Sequence, residues 1–149
     1  MIPPLDFTFE VACPVEHAFT VWTTKISSWW PTEHTVSGDP GAEVFLEPRI
    51  GGRLYERAPS GEEHEWGEVT AWEPPGRLAY AWHIRRDRAD ATDVAITFTA
   101  LDDRRTRVDI HHDGWERLGA AADRWRDRNV FGWTTTYPAF IAAAERVDE

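Results

Sequence analysis

The chain has 149 residues, a formal charge of −10 and a pI of about 5.0. That length fits one domain spanning residues 1–149, able to bury roughly 70% of its unfolded surface. The acidic balance argues against nucleic acid and anionic membrane as partners, and a single cysteine, Cys13, rules out an intrachain disulfide.

Nine tryptophans make the interior, or a cavity within it, unusually aromatic. Each buried indole N–H needs an acceptor, so polar groups are expected among the rings. No charged-then-apolar leader opens the chain and no apolar run approaches membrane-spanning length. The expectation is a reduced, cytoplasmic protein with no membrane insertion.

Residues 5–13 alternate, with Leu5, Phe7, Phe9 and Val11 on one face, which predicts a strand. Pro14 suits a first helical turn. Over 15–26, Val15, Ala18, Phe19, Trp22 and Ile26 recur at helical spacing, which predicts an amphipathic helix. A short helical turn can extend it to Trp29. Pro31 disfavours helix at Trp30, so the helical stretch should stop there. Residues 31–42 read as a long loop. Short strands follow at 43–48, after the Gly51-Gly52 turn, at 65–73, at 77–84, at 92–101 and at 106–112. From residue 115 the chain is Ala-rich and helical. Val130, Trp133, Tyr137 and Ile141 form its apolar stripe, and Pro138 predicts a kink or break near 134–138.

Strands joined by short turns make an antiparallel sheet, and helices at the two ends make the class α+β. A curved sheet around one long C-terminal helix, with one or two short helices after the first strand, leaves concave space between them.

Signatures of known catalytic mechanisms are missing: no phosphate-binding glycine loop, no HExxH, no Gly-x-Ser-x-Gly. His111-His112-Asp113 is metal-like in composition, but neighbours on a strand face opposite sides, so no metal is expected. No cofactor is expected either. Cys13, near His17, is read as a small buried hydrophobe rather than a nucleophile. Basic clusters at 85–88 and 104–107 are read as solvated hairpin ends. Glu56, Glu68 and His83 lie on predicted strands and are the weak catalytic candidates. One that faces the concave side would have a shifted pKa and could act as acid or base. Trp22, Trp30, Tyr80, Trp82, Trp133 and Tyr137 are the candidate ligand-binding set. They are spread over the first helix, the residue before Pro31, the 77–84 strand and the last helix, and core packing and cavity lining both account for them.

Five segments then resemble a known family in their order: FTVWTTKISSWWP, EPRIGGRLYER, WGEVTAWEPPGRLAYAWHI, TRVDIHHDGWERLG and FGWTTTYPAFIAAA. They are similar to the branch of the SRPBCC (START-like) superfamily related to the C-terminal domain of the activator of Hsp90 ATPase. The resemblance spans residues 5–146. It implies a helix-grip fold, in which the sheet grips the last helix over a hydrophobic cavity. It also implies a choice of functions: small-molecule binding, cyclase or aromatase chemistry, or co-chaperone contact. The 149 residues leave no room for the additional N-terminal domain of the eukaryotic co-activator, which weakens the last. The expected function is binding of an apolar or aromatic small molecule between sheet and last helix, with Trp30 and the 31–42 loop as lid or rim. A cyclase-, aromatase- or hydrolase-type enzyme and a chaperone-associated module are the alternatives, and a homodimer stays open.

Overall fold

The computed structural model describes residues 2–146. Strands run over Leu5–Val11 (β1), Glu43–Leu46 (β2), Arg53–Arg57 (β3), Glu63–Glu73 (β4), Arg77–Trp82 (β5), Thr92–Asp102 (β6) and Arg105–Asp113 (β7). Helices run over Val15–Trp22 (α1) and Ala122–Ala144 (α2), with short 3-10 turns at Ile26–Ser28, Thr32–His34, Arg88–Asp90 and Trp115–Ala121. Consecutive strands pair antiparallel in the order β1-β7-β6-β5-β4-β3-β2, so β1 closes against the far end of the chain. The sheet curls into a half-barrel around α2, which is the helix-grip arrangement.

Two close approaches shape that curl. A Cβ on Gly67 would lie 2.0 Å from the Ala81 carbonyl oxygen, so only glycine lets β4 and β5 come together there. Gly51 has φ +84, and a Cβ on Gly52 would meet the Glu47 carbonyl at 2.6 Å. The glycine pair is therefore a tight turn into β3, as its sequence suggested.

The core lies where α1 and α2 meet the concave face. Trp22 is fully buried, with its ring 4.7 Å from Phe140 and 5.1 Å from Trp29. Phe19 stacks edge-on to Phe98 of β6 at 5.4 Å.

Three expectations need correction. Helix α2 runs unbroken through Pro138. Pro138 and Thr134, the residue whose carbonyl it leaves free, are both exposed, so water can take that carbonyl. The hydroxyls of Thr134 and Thr135 donate one turn earlier, to the carbonyls of Val130 and Phe131. The buried stripe of α2 is also displaced. Trp133, Thr136, Phe140 and Ala144 face the core, while Val130, Tyr137 and Ile141 flank it half-buried. Finally, the 85–88 cluster is more than a solvated hairpin end. Arg86 is half-buried, donates to the Trp82 carbonyl at 3.0 Å and lies 5.2 Å from the Trp125 ring centre. Burial lowers its pKa to about 10.

Candidate functional site

Between the concave face and α2 lies a cavity of about 710 Å³. Trp30, Trp82, Trp125, Phe131 and Trp133 form its aromatic walls. Glu33, His34, Arg85, Asp127, Arg128 and Asn129 supply polar groups. A second, more polar cavity of about 660 Å³ shares Arg85 and Trp125 with the first and adds Glu65 and Arg86.

The doubled tryptophan divides its labour. Trp29 turns inward, 6% exposed, and its indole donates to the Val21 carbonyl at 2.8 Å. Trp30 turns to the cavity, 5.1 Å from the Trp66 ring and 6.0 Å from Trp82. Its indole donates to the His34 carbonyl at 3.2 Å.

The segment after Trp30 is a fixed rim. Trp30 holds it at His34, and the Arg85 guanidinium donates to the Thr35 carbonyl. Farther on, Glu56 of β3 accepts from the Val36 N–H, from the Ser37 N–H at 3.2 Å and from the Ser37 hydroxyl at 2.9 Å. Trp66 donates to the same carboxylate at 2.9 Å. Glu56 is wholly buried. Burial alone would raise its pKa, but these hydrogen bonds outweigh it and hold the carboxyl below its usual range. A buried, ionised and fully bonded carboxylate is a clasp for the loop.

The other wall is set by a buried chain of hydrogen bonds. Trp133 donates to Nδ1 of His112 at 3.0 Å, and His112 Nε2 lies 2.7 Å from the Thr92 hydroxyl. Since Nδ1 accepts, Nε2 carries the proton and donates to Thr92. Burial, then the nearby Arg86, drives His112 well below its ordinary pKa. The imidazoles of His111 and His112 do face opposite sides. His111 is exposed between Asp6 at 2.6 Å and Asp113 at 3.2 Å. Among the described residues no cluster of three metal-ligating side chains occurs.

Of the six candidate binding residues, Trp30, Trp82 and Trp133 line the cavity. Trp22 and Tyr80 are core, and Tyr137 stacks on Phe9 of β1 at 4.8 Å. None of the three catalytic candidates lines it. Glu56 is the clasp described above. Glu68 pairs with Arg88 at 3.1 Å, and buried His83 lies 3.0 Å from Glu65. Sequence reasoning missed His34, Arg85, Trp125 and Phe131. The stripe Trp125, Asn129, Trp133, Thr136 at steps of four, four and three was available to find one of them. Cys13 is buried, and burial first, then Glu145, pushes its thiol up to about 11, which suits a packed side chain.

The architecture is thus a helix-grip with an aromatic cavity under the last helix. Residues 12–145 match the family described as Activator of Hsp90 ATPase homolog 1-like protein, and the chain belongs to that family. It is similar to a solved structure described as an anthrahydroquino-Gama-pyrone synthase complexed with SUM. That match has 33% identity over 83% of this chain and 84% of the other, with TM-score 0.60. CalC from Micromonospora echinospora, described as a self-sacrificing resistance protein, shares 25% identity over 96% of this chain and 92% of its own, with TM-score 0.67. The Aha1 dimer from Colwellia psychrerythraea, 12% identical over 97% of each chain with TM-score 0.70, shows the shared fold alone. No curated protein gives a match. No helix among the described residues is long and apolar enough to cross a membrane.

Proposed function

We propose that the protein binds an aromatic small molecule in the cavity between sheet and α2. One observation carries this reading: about 710 Å³ of space walled by five aromatic side chains from the rim, β5 and α2. That volume lies in the range of small-molecule sites, and burial of flat ring surface supplies the affinity at roughly 25 cal/mol per Å². The rim is held by Trp30, Arg85 and Glu56, and a pre-organised wall loses little freedom on binding.

The similarity to a pyrone synthase supports a second reading, an enzyme acting on a polycyclic aromatic substrate. Its acid or base would come from His34, Glu33 or Asp127, the imidazole and carboxyl groups that line the cavity. A chaperone-contact role gains little support. Among the described residues the exposed large apolar side chains are Ile50 in the turn before β3, Leu101 on β6 and Phe131 on α2, far apart in sequence.

Titration of intrinsic tryptophan fluorescence with flat polycyclic aromatics tests binding. Saturable quenching that weakens in Phe131→Ala, with the melting curve unchanged, supports the cavity. No response to any ring system sinks it. Turnover of a bound ligand, seen as a new product by mass spectrometry, selects the enzyme reading.

A further inference from the structure

The cavity is apolar in its walls but carries unmet hydrogen-bonding capacity. Nε2 of His34 and Nε1 of Trp82 are buried without a partner, and both side chains line this cavity. Trp82 is 5% exposed. A buried polar atom left unpaired is unfavourable, so both atoms are better satisfied when something polar occupies the space.

His34 is the more telling of the two. It sits on the turn clamped by Trp30, Arg85 and Glu56, so its backbone is fixed while the imidazole retains a broad χ2 torsion. Its ring lies 5.8 Å from Phe131, at the end of the aromatic wall. Burial, against the opposing pull of Glu33 and with help from Arg85, lowers its pKa. Neutral imidazole has one nitrogen free to accept a proton or a hydrogen bond. Arg85 lines the same cavity and is anchored to the neighbouring Thr35 carbonyl. Asp127 and Arg128 face the space from α2.

We infer that the ligand is a phenol: a flat aromatic ring system whose hydroxyl donates to His34, beside Arg85, which favours negative charge on that oxygen. This rests on the cavity reading above and names its substrate class. An acceptor next to a fixed cation suits an acidic hydroxyl better than an alcohol, because only the former can take on charge when its proton is shared. Trp82 N–H, a donor only, suits a carbonyl oxygen on the same ring system.

The test uses the full chain with a matched pair, anthraquinone and 2-hydroxyanthraquinone, followed by tryptophan fluorescence and by the absorption of the bound dye. The hydroxylated ligand should bind about tenfold more tightly, the size expected of one well-placed hydrogen bond. His34→Phe should erase that preference, and His34→Gln, which keeps an acceptor, should restore part of it. The bound phenol should absorb toward its phenolate band at a pH where the free dye is protonated, and Arg85→Gln should reverse that shift. Equal affinity for the two ligands, or a preference that survives His34→Phe, overturns the phenol inference and leaves the cavity reading standing. Failure of both dyes to bind the native protein overturns both.

Discussion

The indole of Trp133 and the imidazole of His112 share one hydrogen bond, 3.0 Å long, that decides the state of both. It fixes the His112 tautomer, and through it the cavity wall made by Trp133 is tied to β7 and β6. Replacing His112 by Phe keeps the volume but orphans the Trp133 N–H and leaves the Thr92 hydroxyl only its longer bonds, 3.3 Å to the Trp82 carbonyl and 3.3 Å from Arg86. A loss of about 1–3 kcal/mol is expected by urea denaturation, the cost of one buried donor left without a partner. The pH dependence has a definite sign. His112 is held well below its ordinary value of 6.5 when folded. Its contribution is complete above that value and is lost as pH falls below it, because the unfolded chain binds the proton first. His111, raised by Asp6 and then Asp113, works the opposite way: its contribution is present in acid and fades as pH rises through its folded value. The difference between native and His112→Phe stability, plotted against pH, isolates the first effect. It should shrink below pH 6.5. A difference independent of pH would mean that His112 is not buried neutral.

Glu56 predicts a second acid-sensitive clasp. Glu56→Gln should cost about 2–4 kcal/mol at neutral pH, since an amide cannot accept from all four donors that converge on the carboxylate. The native carboxyl is held below its ordinary 4.5, so its stabilisation is present above 4.5 and is lost as pH falls through the folded value. The stability gap between the two proteins should narrow as pH falls below 4.5. Hydrogen exchange at Val36 and Ser37 offers a local readout. Faster exchange there in the variant, with β6 and β7 unaffected, is the expected pattern. Unchanged protection would show that the loop is held by other means.

Trp29 and Trp30 should separate stability from binding. Trp29→Ala removes a ring packed on Trp22 and Phe140 and is expected to cost about 3–5 kcal/mol. Trp30→Ala removes a half-buried cavity wall and should cost roughly half of that or less, while weakening ligand quenching more than any stability loss explains. Equal destabilisation by the two would place Trp30 in the core rather than at the rim.

The fold was legible because its signals are local. Period-two alternation, short turns and an amphipathic first helix each survive without tertiary information. Pro31 also marked the end of the first helical stretch, whose last turn closes at Ser28. The site was legible only in part, and particular residues show why. Leu54, Tyr55 and Glu56 are all buried in succession, because β3 shifts register between Leu54 and Tyr55. Strand parity therefore could not reveal that Glu56 points inward. Its main partners are backbone N–H groups some twenty residues away, which no side-chain pattern encodes. Arg85 reaches the rim beside His34 through the backbone carbonyl of Thr35, with the same consequence. In α2 the alanines blur the contrast between faces, so the sequence alone favours the stripe starting at Val130 over the one through Trp125, Trp133 and Phe140.

Pro138 gives the last prediction. The sequence suggests a break, and the helix does not break, so its cost must be carried elsewhere. Proline inside a helix lacks one hydrogen bond and is about 3 kcal/mol less favourable than alanine in an exposed interior position. Here both Pro138 and the carbonyl it deprives, that of Thr134, lie on the solvent side, where water limits the loss. Pro138→Ala should therefore stabilise the protein by about 1–3 kcal/mol, restoring the bond to Thr134 without touching the buried face of Thr136, Phe140 and Ala144. Thermal denaturation of the two proteins checks this, and ligand quenching should be unchanged because Pro138 does not line the cavity. A neutral or destabilising result would show that the ring of Pro138 contributes to packing on the outer face of α2. Altered ligand affinity in the variant would mean that Pro138 influences the position of Trp133 through the helix.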